Sequence, residues 1–124
     1  MTFKTLALAA AATLMATPVF AVDTSMQLVL ELEGNAQRDV VRYTCDGLEE
    51  TLTVEYVNAH PIFLALVPIE GEKLIFVNVI SGSGARYASG QYVWWTTGNE
   101  AQLIDEMAEE DAEPASCIAA TDTP

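Results

Sequence analysis

The stretch Glu50-Thr51-Leu52-Thr53-Val54-Glu55-Tyr56-Val57 alternates polar and apolar residues along its length. Side chains of a β-strand point alternately to opposite faces, so this segment offers one face to water and one to a core. A helix would instead gather its apolar residues at intervals of three and four. Outward from this stretch the pattern recurs. Residues 26–32, 40–44, 62–67, 74–80, 86–88 and 92–96 are short runs rich in Val, Ile, Leu, Thr, Tyr or Phe. Turn formers separate them, among them Gly34-Asn35, Asp46-Gly47, His60-Pro61, Glu70-Gly71, Ser89-Gly90 and Gly98-Asn99. Seven or eight strands at this spacing predict an antiparallel sandwich or barrel. Glu70-Gly71 and Ser89-Gly90 are expected to be tight hairpin turns.

The first 21 residues read as an address. Lys4 precedes an apolar run over residues 6–15, and Val19-Phe20-Ala21 fits a small-x-small cleavage site. The run is too short to span a bilayer. Cleavage of this secretory signal peptide after Ala21 is expected, with export to the periplasm. No cysteine lies near the site to carry a lipid, so no stable membrane anchor is expected. Residues 22–118 then form one small domain with a single core, and residues 119–124 a flexible tail. The two cysteines, Cys45 and Cys117, are an even count in an exported chain and predict one disulfide. Two isolated cysteines and one histidine make a poor metal site, so neither metal nor cofactor is expected. His60 precedes Pro61 in a turn and has no oriented neighbour, which argues against a catalytic base.

The charge balance is extreme, with a formal net charge of −13 for the whole chain. Beyond the leader, 18 acidic residues face only Arg38, Arg42, Lys73 and Arg86. Nucleic acid and anionic membrane surfaces both demand basic patches, so such partners are excluded. Charge alone fits solubility or a halotolerant proteome better than any partner; a partner, where there is one, is expected to be a basic protein, its approach steered by the field and slowed by salt.

A second segment carries the chemistry. It reads Ser81-Gly82-Ser83-Gly84-Ala85-Arg86-Tyr87 and, after a short spacer, Trp94-Trp95-Thr96-Thr97-Gly98-Asn99-Glu100-Ala101. Adjacent tryptophans in a strand face opposite sides, so one belongs to the core and the other to the surface. The Ser-Gly-x-x-Tyr of Ser83, Gly84 and Tyr87, with Trp94, Trp95, Thr96, Gly98, Glu100 and Ala101, resembles the signature of the bacterial membrane-bound and periplasmic inhibitors of c-type lysozyme. Tyr43 and Cys45 match the family's Tyr-x-Cys opening. The resemblance covers about residues 42–104 plus Cys117.

The resemblance implies a small antiparallel eight-stranded β-barrel with a last strand over residues 101–105. Local propensity disagrees, because Leu103, Ile104 and Met107 among Ala, Gln and Glu favour a helix. Strand is preferred, since a barrel needs its eighth strand to protect its edges. Glu109-Glu110-Asp111 and Glu113-Pro114 then read as a solvated connection to Cys117, with a disordered tail after Ile118. The resemblance further implies that Ser83 enters the cleft of a basic c-type lysozyme and hydrogen-bonds a catalytic carboxylate. A hydroxyl suits a cleft that holds one protonated and one ionised carboxyl, because it can donate to one and accept from the other. Gly84, Arg86, Tyr87, Trp95 and Thr97 complete the expected contact set, with the inhibitor acting as a monomer or dimer. Tyr87 is expected to brace the loop by ring packing and a backbone hydrogen bond. An internal ion pair is the favoured use of Arg86. At position 97 the family pattern has a lysine where this chain has Thr97, which implies reduced potency.

Two other functional classes compete for these residues. An enzyme would need a nucleophile elbow, and Ser81 stands where the first glycine of Gly-x-Ser-x-Gly should be. A glycan- or small-ligand-binding barrel would use an exposed Trp95 and a hydroxyl-bearing loop.

Overall fold

In the computed structural model, residues 10–18, 27, 29, 31, 32 and 34–120 are described. The chain divides into two units, Met1–Leu30 and Glu31–Pro124. In the first, residues 10–18, 27 and 29 form neither helix nor strand. The expected cleavage site at Val19-Phe20-Ala21 lies outside the described residues. No helix among the described residues is long and apolar enough to cross a membrane.

The second unit is a closed antiparallel barrel of β1 (Gln37–Cys45), β2 (Leu52–Ala59), β3 (Ile62–Ile69), β4 (Glu72–Val79), β5 (Ala85–Ser89), β6 (Tyr92–Thr97), β7 (Glu100–Asp105) and β8 (Ala115–Ala119). Each strand pairs with its neighbours in sequence, and β8 closes on β1 through Tyr43–Ala119, Thr44–Ile118 and Cys45–Cys117. Closure leaves no unpaired edge. The alternation in residues 50–57 is realised in β2, where Leu52 and Val54 are buried and Thr53 is exposed. Eight strands enclose a lumen that side chains fill. Here Tyr43, Val54, Ala65, Val67, Phe76, Tyr87, Trp94 and Ala101 supply the packing.

A hydrogen-bonded aromatic chain runs through that core. Trp94 is fully buried and meets Tyr43 edge to face at 5.1 Å between ring centres. Its Nε1 donates to the Tyr56 hydroxyl at 2.9 Å, and the Tyr56 and Tyr43 hydroxyls are 2.7 Å apart. Each buried polar end of these three rings is thereby partnered, as burial requires. Burial, reinforced by the Tyr43 hydroxyl, holds the Tyr56 phenol far above its ordinary range. Burial also raises Tyr43 and Tyr87.

Two expectations about the strands are corrected. Residues 26–32 were expected to open the sheet, but Gln27, Val29, Glu31 and Leu32 lie in no strand, and the others fall outside the described residues. The eighth strand is instead β8, in the segment expected to be a connection and a disordered tail. The physical reason is the Cys45–Cys117 disulfide, which fixes this short run in register beside β1. Order continues past Ile118, since the Ala120 amide donates to the Arg42 carbonyl at 2.8 Å. Residues 101–105 are strand, as expected against their helical propensity, because pairing with β6 and β8 overrides it.

Candidate functional site

One end of the barrel carries the connections β2–β3 (residues 60–61), β4–β5 (residues 80–84) and β6–β7 (residues 98–99). The β4–β5 connection is the longest of them and presents Ser83, which is exposed. The Ser81 hydroxyl closes the loop on itself by donating to the Gly84 carbonyl at 3.2 Å. Gly84 turns the chain into β5 with a φ of +63°. A Cβ on it would collide with the Thr96 carbonyl oxygen and sit 2.9 Å from the Thr97 hydroxyl. Only glycine fits both that backbone and that contact. The loop's root is therefore seated directly against the end of β6.

Register does the rest. Arg86 pairs with Trp95, and Tyr87 with Trp94, across β5 and β6. Pairs opposite one another share a face, so Tyr87 and Trp94 point inward while Arg86 and Trp95 lie outside. The Trp95 Nε1 donates to the Ser83 carbonyl at 2.9 Å. The Arg86 guanidinium lies 5.7 Å from the centre of the Trp95 ring, an arrangement with cation–π attraction. Arg86 also reaches Glu106 at 3.5 Å, so its expected internal ion pair is present, although its buried Nε has no acceptor. Glu106, Arg86, Trp95 and Ser83 thus form a continuous strut up the outside of the barrel. Tyr87 packs inward against Tyr56 at 5.8 Å, and the expected hydrogen bond from its hydroxyl to the backbone is absent among the described residues.

Thr97 is the last residue of β6 and is exposed beside Gly84. Fourteen residues apart in sequence, Ser83 and Thr97 stand at the same end of the molecule. A shallow depression beside Thr97 is lined by Trp95, Glu100, Ala101 and Gln102. No cluster of ligands that could hold a metal occurs among the described residues.

The charge distribution was not foreseen. The three connections at the Ser83 end contain no Asp or Glu, and Glu100, the first residue of β7, is the acid that directly follows them. The opposite end carries Asp46, Glu49 and Glu50 between β1 and β2, Glu70 and Glu72 at the β3–β4 turn, and Glu106, Glu109, Glu110, Asp111 and Glu113 between β7 and β8. Composition reveals total charge but not its placement, because placement depends on which loops share an end.

The family model described as membrane-bound lysozyme-inhibitor of c-type lysozyme matches residues 43–112. A protein of that name from Cupriavidus necator is 48% identical over 75 residues, which are 60% of this chain and 59% of the relative. Its counterpart from Pseudomonas aeruginosa is 43% identical over 93 residues, covering 73% of this chain and 71% of the relative. The Escherichia coli counterpart is 38% identical over 73 residues, 59% of this chain and 63% of that protein. The crystal structure of Pseudomonas aeruginosa MliC in complex with hen egg white lysozyme superposes with a TM-score of 0.65 at 35% identity, over 81% of this chain and all of that one.

Proposed function

Because the chain belongs to the family of membrane-bound lysozyme inhibitors of c-type lysozyme, we propose that it inhibits a c-type lysozyme in the bacterial envelope by inserting the Ser83-Gly84-Ala85-Arg86-Tyr87 loop into the enzyme's active-site cleft. The observation that carries this reading is the exposed Ser83 on a loop held from three sides: its own Ser81 hydroxyl, the Trp95 indole, and the β6 backbone against Gly84. A rigid projection loses little conformational freedom on docking, and preorganisation of this kind favours tight binding. The protein acts by occupancy and carries out no reaction of its own.

Ser83 supplies a hydroxyl that can donate to an ionised carboxylate or accept from a protonated one. Thr97, which lies against Gly84, offers a second hydroxyl in place of a lysine's ammonium. A charge-assisted hydrogen bond contributes about 1.5–3 kcal/mol against about 1 for a neutral one. Inhibition is therefore weaker than a lysine at position 97 would give, by about tenfold to a hundredfold. Sugar binding through Trp95 is disfavoured, because the Arg86 guanidinium already lies over its ring.

The test is a titration of lysozyme-driven lysis of bacterial walls with purified protein and with Ser83→Ala. Inhibition by the parent at micromolar concentration and its loss in the variant support the reading. Undiminished lysis refutes the function, and equal potency of Ser83→Ala refutes the mechanism.

A further inference from the structure

The end of the barrel away from Ser83 is open. Leu52, Ile69, Tyr92 and Leu103, from the ends of β2, β3, β6 and β7, line a cavity of about 620 Å³ there, with Leu48 at its edge. This volume lies in the range of ligand sites. Its rim holds Glu49, Glu50 and Glu70, all exposed and without an ion pair or side-chain hydrogen bond among the described residues. No lysine or arginine lines it. Three of the cations are engaged elsewhere: Arg38 and Lys73 both reach Glu55, and Arg86 reaches Glu106.

We infer that this mouth binds a short cationic peptide segment, which places one apolar side chain in the cavity and its lysines or arginines on the rim. The cavity lining removes an aliphatic or aromatic group from water, which is favourable in proportion to the area covered. Unpaired carboxylates of one sign around an apolar floor complement positive charge and repel carboxylate or phosphate ligands. Acidic residues continue beyond the rim into the β7–β8 loop at Glu109, Glu110 and Asp111. That spread exceeds what one ammonium group can answer and matches several cations along a chain. The inference is independent of lysozyme inhibition, since Ser83 lies at the other end of the barrel.

The test uses purified protein and a labelled synthetic peptide with a central phenylalanine flanked by two lysines on each side, followed by fluorescence anisotropy at physiological salt. A control peptide carries serine in place of phenylalanine. The phenylalanine peptide is expected to bind at least about tenfold more tightly than the control, and the Glu49→Gln, Glu50→Gln, Glu70→Gln triple variant to lose about that factor. Leu48→Ser, at a half-exposed position that the core does not need, is expected to weaken the phenylalanine peptide alone. Equal affinity for the two peptides would reduce the effect to bulk charge attraction and overturn the proposal. So would an unaffected triple variant, or loss of lysozyme inhibition on saturation with peptide. Peptide binding without any lysozyme inhibition would leave this inference standing and refute the proposed function instead.

Discussion

The Trp95 indole nitrogen donates a 2.9 Å hydrogen bond to the Ser83 carbonyl oxygen, joining the outer face of β6 to the tip of the β4–β5 loop. This bond couples a strand to a loop that sequence alone leaves free. It also assigns the second tryptophan a task distinct from that of its buried neighbour Trp94, which bonds Tyr56.

Removing the donor while keeping an aromatic ring isolates this contact. Trp95→Phe is expected to weaken lysozyme inhibition by about two- to tenfold, the equivalent of one hydrogen bond of about 0.5–1.5 kcal/mol. Melting temperature should scarcely change, because Trp95 lies outside the core. Inhibition constants and thermal melts measured on the same preparations check both halves.

Gly84→Ala should act at the loop's root. Its positive φ and the Thr96 carbonyl leave no room for a methyl group, so the loop must shift. The strain is of order 1–3 kcal/mol. Inhibition should fall at least about tenfold while the far-ultraviolet spectrum of the barrel persists.

Thr97→Lys tests the departure from the family pattern. Tighter binding by about tenfold to a hundredfold is expected in calorimetry. An unchanged dissociation constant would remove Thr97 from the contact set.

The placement of acid predicts a dissociation between charge and inhibition. Neutralising Glu109, Glu110 and Asp111, on the end away from Ser83, should change the inhibition constant by less than about twofold, since exposed charges beyond a Debye length of about 8 Å are largely screened. A large loss would restore these acids to the recognition of the enzyme.

Alkaline pH should unfold the barrel cooperatively. The phenols of Tyr56, Tyr43 and Tyr87 are all raised by burial. A raised folded-state pKa contributes stability that is complete below the ordinary tyrosine value of about 10 and is lost as pH rises beyond it. Tyrosinate absorbance of these three rings should appear together with loss of near-ultraviolet dichroism. Tyr56→Phe, which strips partners from Trp94 and Tyr43, should cost about 2–3 kcal/mol in denaturant unfolding.

The disulfide spans 72 residues in sequence. Replacing both cysteines by serine should destabilise the barrel by about 4 kcal/mol in the chain-entropy account, a large share of a small domain's stability. The loss should appear first as release of β8 from β1.

Much of this protein is decided by local pattern. The two-residue alternation in 50–57 and the turn formers between short apolar runs determine antiparallel strands, and the adjacency of Trp94 and Trp95 determines that they part to opposite faces. The motif from Ser83 to Ala101 likewise identifies the family, because it rests on side-chain identities at fixed spacing. What the sequence leaves open depends on closure. The short run 115–119 becomes a strand only because barrel closure and Cys117 bring it beside β1. Gly84, beside Ser83 in sequence, meets Thr97 only because β5 and β6 are paired at that end of the barrel. The separation of the acidic loops from the Ser83 end arises in the same way, from the alternation of strand direction around a closed sheet. Local sequence sets which way each side chain points along its strand; only the closed barrel sets which ends, loops and charges stand together.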